Sequence, residues 1–283
     1  MFDLSPLEPV DYLVIGHVTE DLTPTGTQLG GTAAFSALTA HALGLRVGVV
    51  TSASETPSLA ALKGIRVVVL PAVHSTTFEN TSTSSGRVQI LHHQAGPIPF
   101  ESVPAAWRSA PIVHLAPVVH EIDPGYAEHL SASLLGLTPQ GWMRCWDAAG
   151  RVVAQKWESA ERLGPQAGAI IISREDVAGD DELIETLAHQ TRVLAVTEGA
   201  AGSVLYWNGD RRRFRAPETR EVDGTGAGDI FAAAFFVRLY TTRDPWEAAR
   251  FATRLASYSV ARRGLDGIPT RKEIEESTLE VLQ

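Results

Sequence analysis

The chain has 283 residues, 44% of them hydrophobic and 20% charged, a globular composition with enough apolar content for a sizeable core. A formal charge of −9 argues against a general nucleic-acid or anionic-membrane surface. The single cysteine, Cys145, excludes an internal disulfide and a Cys-rich zinc site and fits a reducing compartment.

The N-terminal stretch MFDLSPLEPVDYLVIG places acids and prolines before its first apolar run, unlike a signal peptide. Within it, YLVIG reads as a buried parallel strand stopped by glycine. HVTEDLTPTGTQ reads as polar and turn-rich. GGTAAFSALTAHALG, Gly30 to Gly44, reads as a helix opened by a glycine pair and closed by a C-cap glycine. RVGVVTS and IRVVVLP read as further buried strands. TTFENTSTSSGRVQILHH is β-prone and polar, a hairpin turning at Ser85-Gly86 and projecting from the main sheet. IVHLAP, MRCWDA, AIIIS and VLAVTEG then read as strands, alternating with the helix-like spacers PGYAEHLSASLLG and DDELIETLAHQ. That alternation predicts an α/β fold with a doubly wound, mostly parallel sheet. SVLYWNGDRRRFRAP reads as a second hairpin, turning at Asn208-Gly209, and IFAAAFFVRLY and PWEAARFATRLASYSVARRG as two closing helices. The longest apolar run, Ile230 to Val237, is too short to span a bilayer, so the expected protein is soluble and cytoplasmic. No repeat or linker divides the chain, and a single domain over residues 1–283 is expected.

The densest chemistry lies in VDGTGAGDIF, where a strand-like segment ends and a helix begins. A helix N-terminus presents unpaired N–H groups and partial positive charge, a natural anion site. Small residues at Gly226, Ala227 and Gly228 leave room for an anion at the backbone, and Asp229 stands where an acid takes a proton from an attacking hydroxyl. The bland alternative is a glycine turn with Asp229 as a simple N-cap. A Rossmann fingerprint fails because residue 229 is not glycine, and no Walker loop occurs.

DGTGAGDIF resembles the C-terminal signature of the ribokinase-like (PfkB family) carbohydrate kinases, and the resemblance runs in order along nearly the whole chain. It implies a ribokinase-like fold whose small β-lid comprises segments near 18–29 and 74–93. It implies an ATP- and magnesium-dependent kinase acting on a hydroxyl of a small sugar or polyol. Asp229 is then the base, and the N–H groups of Gly226, Ala227 and Gly228 form the anion hole. IGHVTEDL places Thr19 and Asp21 at the acceptor, joined there by Gly30, Gly31, Phe35 and the lid residue Arg87. ISREDV lies at an N-x-x-E motif with Ser173 in place of asparagine, leaving Glu175 or Asp176 to organise phosphates and magnesium. VTEGAAG places Thr197, Gly199 and Gly202 at the nucleotide, and the helix from Trp246 to Arg263 places Thr253 there. Asp223 and Gly264 fall where many family members hold a monovalent cation such as potassium.

Three departures bear on the acceptor. Phe35 and Ser36 occupy the neighbourhood of a sugar-contacting asparagine, Ser173 replaces the asparagine of the N-x-x-E motif, and HLAPVV lacks the acid of ribokinase proper. The missing acid counts against ribose, and Phe35, Ser173 and VTEGAAGSVLYWNG are similar to the inositol-kinase branch, which ranks a cyclitol above ribose. A nucleoside kinase of the same fold and a catalytically silent sugar or nucleotide sensor stay open, as do monomer and homodimer. Outside the motifs, His17 and His74 stand near the presumed substrate mouth, His92-His93 read as a solvated pair, and Arg211 to Arg213 as a charged strand edge. Cys145, Trp142, Trp146 and Trp157 read as packing residues.

Overall fold

The computed structural model describes residues 8–24, 26–54, 59–83 and 86–279, with the side chains of residues 82–87 and 279 outside the described set. Its strands, in chain order, are β1 (Tyr12–Ile15), β2 (Thr19–Thr23), β3 (Gly26–Gly30), β4 (Val47–Ala53), β5 (Arg66–Pro71), β6 (Thr76–Thr83), β7 (Gly86–His93), β8 (Ile112–Leu115), β9 (Leu134–Leu137), β10 (Arg144–Trp146), β11 (Val152–Ala154), β12 (Ala169–Ser173), β13 (Val193–Thr197), β14 (Ser203–Trp207) and β15 (Asp210–Phe214). The helices are α1 (Thr32–Ala42), α2 (Ala160–Leu163), α3 (Asp181–Gln190), α4 (Ala227–Thr242), α5 (Pro245–Ser259) and α6 (Arg271–Leu279).

One sheet of nine strands runs β15-β14-β13-β12-β9-β8-β1-β4-β5. Every pairing from β13 to β5 is parallel, and β14 and β15 close one edge antiparallel. Successive residues of each strand feed opposite layers. Tyr12 and Val14 pack with α1, α4 and α5, while Leu13 and Ile15 pack with Trp107, Trp142 and Trp157. Both faces are therefore covered, which is why these strands read as unbroken apolar runs. From β1 the chain builds outward through β4 and β5 and then returns to β8 on the other side, so strand order reverses between β1 and β8. In open α/β sheets, ligands bind outside the strand C-termini at such a reversal.

A second sheet, β3-β2-β6-β7, gathers both expected projecting segments. The stretch read as turn-rich is in fact β2 and β3, since pairing with β6 supplies the ladder that its composition does not advertise. The ladder between β6 and β7 shifts between Thr77 and Phe78, and residues 84–85 at the hairpin tip, half of the expected Ser85-Gly86 turn, lie outside the described residues.

Three further expectations are corrected. PGYAEHLSASLLG is not a helix: Pro124–His129 is a short 3-10 turn, and Leu134–Leu137 is β9, a central strand. Gly136 in β9 has a packing reason, since a Cβ there would come within 2.7 Å of the Phe236 ring. MRCWDA therefore has no place in the main sheet; β10 pairs instead with β11 in a small antiparallel hairpin, and Cys145 is half-buried there. That hairpin reaches β7 through a bridge between Ile90 and Arg151 and a 2.8 Å bond from the Leu91 N–H to the Gly150 carbonyl. The last of the two closing helices stops at Ser259, and the carbonyl of Val260 beyond it accepts the N–H groups of Val222 and Asp223 at 2.7 and 3.1 Å. The Asn208-Gly209 turn forms as read, with φ of 52° and 79°.

Beneath α4, a polar chain crosses the core. The His114 ring bonds Thr138 through Nε2 and Tyr12 through Nδ1, both at 2.8 Å, and the Tyr12 hydroxyl also meets Ser36. Burial drives the His114 pKa from 6.5 down to about 3, and burial also holds the Tyr12 hydroxyl well above its usual value, with the nearby Asp229 charge adding to that. In the unfolded chain His114 binds a proton near pH 6.5, whereas the folded chain keeps it neutral to about pH 3. This group therefore costs nothing above pH 6.5 and costs stability as pH falls from there, at up to about 1.4 kcal/mol per pH unit. Urea unfolding of wild type and His114→Gln at neutral and mildly acidic pH checks this: the variant should lose that part of the acid slope whatever its stability at neutral pH.

Candidate active site

The GAGD segment forms the first turn of α4. The cap position falls on Gly226 rather than Asp229, with φ of 78°, a left-handed conformation that favours glycine. Asp229 thus stands three residues inside the helix, and the simple-cap reading does not hold. Glycine at 226 is also a steric requirement, because a Cβ would lie 2.3 Å from the Phe35 ring. The space beside Gly226 is filled by that ring, whereas a Cβ on Gly228 would meet nothing within 4 Å. Room for an approaching group therefore lies over Gly228. The Ser36 hydroxyl donates to the Asp229 carbonyl at 3.4 Å. The glycine-pair helix α1 and the acid-bearing helix α4 are in this way seated turn against turn.

Phe35 is 1% exposed, so it serves this seat and presents no open surface. The remaining acceptor-side residues do converge. Thr19 donates to Asp21 at 3.4 Å, and a Cβ on Gly30 would lie 2.2 Å from an Asp21 carboxylate oxygen. Gly31 packs on the His17 carbonyl, 2.8 Å from where its Cβ would be. Arg87 lies in β7, but its side chain is outside the described residues.

Two residues were missed or undervalued in the sequence. Glu121, 2% exposed, accepts N–H groups from His17, Val118 and Val119 at 2.8 to 3.0 Å. It lies just beyond the HLAPVV segment that lacks ribokinase's acid, and no spacing signal marks it. His17 is buried rather than at an open mouth, while His74 and His93 are exposed and stacked at 4.4 Å.

On the donor side, Ser173 and Asp176 cap one another: the Ser173 N–H donates to the Asp176 carboxylate at 2.7 Å, and the Asp176 N–H to the Ser173 hydroxyl at 3.1 Å. Gln140 also reaches Asp176 at 3.3 Å, whereas Glu175 is exposed. Thr197 is half-buried at the end of β13, followed by Gly199 in an exposed turn. Gly202 and Thr253 are enclosed. A Cβ on Gly202 would lie 2.0 Å from the Phe214 carbonyl, and Thr253, 4% exposed, bonds the Ser203 hydroxyl at 2.8 Å. Asp223 and Gly264 are brought together, the Gly264 N–H donating to one Asp223 oxygen at 2.9 Å while the Thr225 N–H takes the other at 2.9 Å. The Arg211 to Arg213 edge is paired rather than merely solvated: Arg211 meets Glu185, Arg213 meets Glu198, and Arg212 lies over Trp246 at 4.2 Å.

A cleft of about 1010 Å³ lined by residues such as Tyr126, Trp142, Lys156 and Trp157 contains none of the expected site residues. The expected site residues gather instead at the α1–α4 seat and the strand ends around it. Among the described residues, no helix is long and apolar enough to cross a membrane.

A nine-stranded doubly wound sheet, an appended four-stranded sheet and a glycine–acid helix start together define the architecture of the ribokinase-like kinases. Residues 155–271 match the pfkB family of carbohydrate kinases. It is 45% identical to the ribokinase of Bacillus subtilis over 94 residues, 32% of each chain, and 25% identical to a probable chloroplastic fructokinase-6 of Arabidopsis thaliana over 196 residues, 62% of this chain and 51% of that one. The matched stretches thus span about half or less of these relatives. A pyrophosphate-dependent kinase in the ribokinase family, solved with a pyrophosphate analog and myo-inositol, shares the fold at TM-score 0.76 and 22% identity over 94% of this chain and 99% of that one. Arabidopsis thaliana ribokinase with ribose and ATP gives 0.70 and 19% over 95% and 98%.

The Phe35–Gly226 seat is testable. Gly226→Ala should destabilise the chain by about 1–3 kcal/mol, through overpacking against Phe35 and a strained backbone. In a Phe35→Ala background the same change should cost less, because only the backbone strain remains. Chemical denaturation of the four proteins in a double-mutant cycle measures the difference.

Proposed function

We propose that the protein transfers a phosphoryl group from ATP to a hydroxyl of a small polyol, with a cyclitol favoured over ribose. The observation that carries this reading is the seating of the Asp229 turn against the glycine-pair helix by Phe35 and Gly226. Asp229 takes the proton from the acceptor hydroxyl as its oxygen attacks the terminal phosphorus and the bond from that phosphorus to the departing ADP breaks, and the N–H groups of the Gly226, Ala227 and Gly228 turn face the charge that develops on the transferred group. Asp21, steadied by Thr19, orients the acceptor beside Gly30 and Gly31.

Magnesium, when bound, supplies charge neutralisation on the donor phosphates. Among the described residues no group of three or more histidines, cysteines or carboxylates converges to hold a metal by itself, so the fit is to an ion carried by the phosphates, with the exposed Glu175 reaching it through water. Asp176 has its carboxylate committed to Ser173 and Gln140 and holds the turn instead. Asp223 with Gly264 is where a potassium ion would sit, joining the loop before α4 to the turn after α5.

The enclosure of Thr253 and Gly202 removes two of the surfaces expected to meet a nucleoside. That observation favours a second reading of the donor, inorganic pyrophosphate, which needs only the phosphate cradle, and the pyrophosphate-dependent neighbours belong with it. A nucleoside acceptor and a catalytically silent sensor are the remaining rivals.

Product formation is to be measured with ATP and with pyrophosphate over a panel of inositols, pentoses, hexoses and nucleosides. Turnover is expected with an inositol, and Asp229→Asn should lower it by about 10²–10⁴-fold while calorimetry shows acceptor binding retained. Full activity in Asp229→Asn removes the base assignment, and wild type inert toward every pair leaves the sensor.

A further inference from the structure

At the C-terminal ends of β1 and β8, where strand order reverses, one buried residue meets, through its backbone and its ring, the segments that carry the expected acceptor residues. His17 is 0% exposed. Its backbone N–H donates to Glu121 at 2.9 Å, and the same carboxylate gathers the N–H groups of Val118 and Val119 after β8. Its carbonyl is the surface on which Gly31 packs. Its ring reaches the four-stranded sheet at both crossings. Nε2 lies 2.9 Å from the Gly96 carbonyl, just after β7, and Nδ1 lies 2.8 Å from the Thr76 hydroxyl, the first residue of β6.

A carbonyl only accepts, so Nε2 carries a proton toward Gly96, and Nδ1 shares a hydrogen bond with the Thr76 hydroxyl. The Thr76 oxygen in turn accepts the Ala95 N–H at 3.0 Å. The ring thus joins the entry strand β6 to the exit segment after β7, and the backbone of the same residue meets the glycine pair and, through Glu121, the β8 loop, beside the ladder irregularity at Thr77/Phe78. A ladder break next to a buried, fully bonded group is the arrangement of a pivot: the strands bend at the irregularity, and the bonds set where the bend begins.

We infer that His17 is a positioning residue that fixes the four-stranded sheet on the body and, through β2, sets the place of Thr19 and Asp21. It touches no reacting atom. The catalytic turn at Asp229 is held separately, by Phe35 and Ser36, so disturbing His17 should affect acceptor capture and spare the chemical step. That kinetic part rests on the kinase reading; the mechanical part does not.

Thr76→Val is the test, because it keeps the shape of a buried residue while removing the hydroxyl that serves both Nδ1 and the Ala95 N–H. Thr76→Ser keeps the hydroxyl and is the rescue. In hydrogen exchange on the full chain, Thr76→Val should speed exchange of the β6, β7 and Ala95–Gly96 amides by about tenfold or more, with β12 and β13 unchanged and Thr76→Ser close to wild type. With an acceptor in hand, its KM should rise about tenfold in Thr76→Val, with kcat and the donor KM changed less than about twofold. Unchanged exchange in β6 and β7, an equal rise throughout the chain, or a serine variant as impaired as the valine overturns the inference. Wild type without turnover on any acceptor removes the kinase reading and leaves the exchange result to decide the pivot.

Discussion

A carboxylate buried among backbone amides holds the reversal point of the sheet together. An isolated buried charge is costly, and Glu121 is tolerated because three N–H groups from two separate strand ends converge on it. The parallel sheet alone fixes β1 and β8 side by side but leaves the chain beyond their ends free to diverge. Glu121 removes that freedom, and the paths of residues 16–18 and 116–121 are set as one unit. The glycine pair, β2 and the root of β6 are then stacked on this unit rather than on the sheet itself.

A second seat, joined to the first through α1, holds the turn that carries Asp229. Phe35 on α1 fills the place beside Gly226, and Ser36 bonds the Asp229 carbonyl one turn further along. The helix that carries the expected base is thus aligned by the helix that follows the glycine pair. Because the two seats share α1, the groups expected at the acceptor and at the phosphates keep a common frame although they lie some two hundred residues apart in the chain.

Where the sequence was legible, a local rule coincided with the tertiary role. YLVIG, AIIIS and VLAVT are continuous apolar runs because both sheet faces are covered, and Asn208-Gly209 is a turn because both residues take positive φ. The glycine–acid start of α4 was legible for the same reason. Leu134–Leu137 was misread because four apolar residues next to a helix-like stretch carry no period of their own, and only Phe236 packing on Gly136 reveals a strand. β2 and β3 were misread because polar residues pair well only once β6 is present. Phe35 stood in the expected position but faces inward, and Glu121 and His17 act through backbone contacts between remote segments, which no spacing in the sequence encodes.

Gly226 carries two requirements at once, a left-handed φ and an absent Cβ against an aromatic ring. Both belong to folding and neither to chemistry. A descendant of this chain that had abandoned its reaction would still need glycine there, while Gly228, facing open space, would be released to drift. Gly228 is therefore the informative glycine of the motif, and the glycine that looks most like a phosphate contact is the one that reports least about activity.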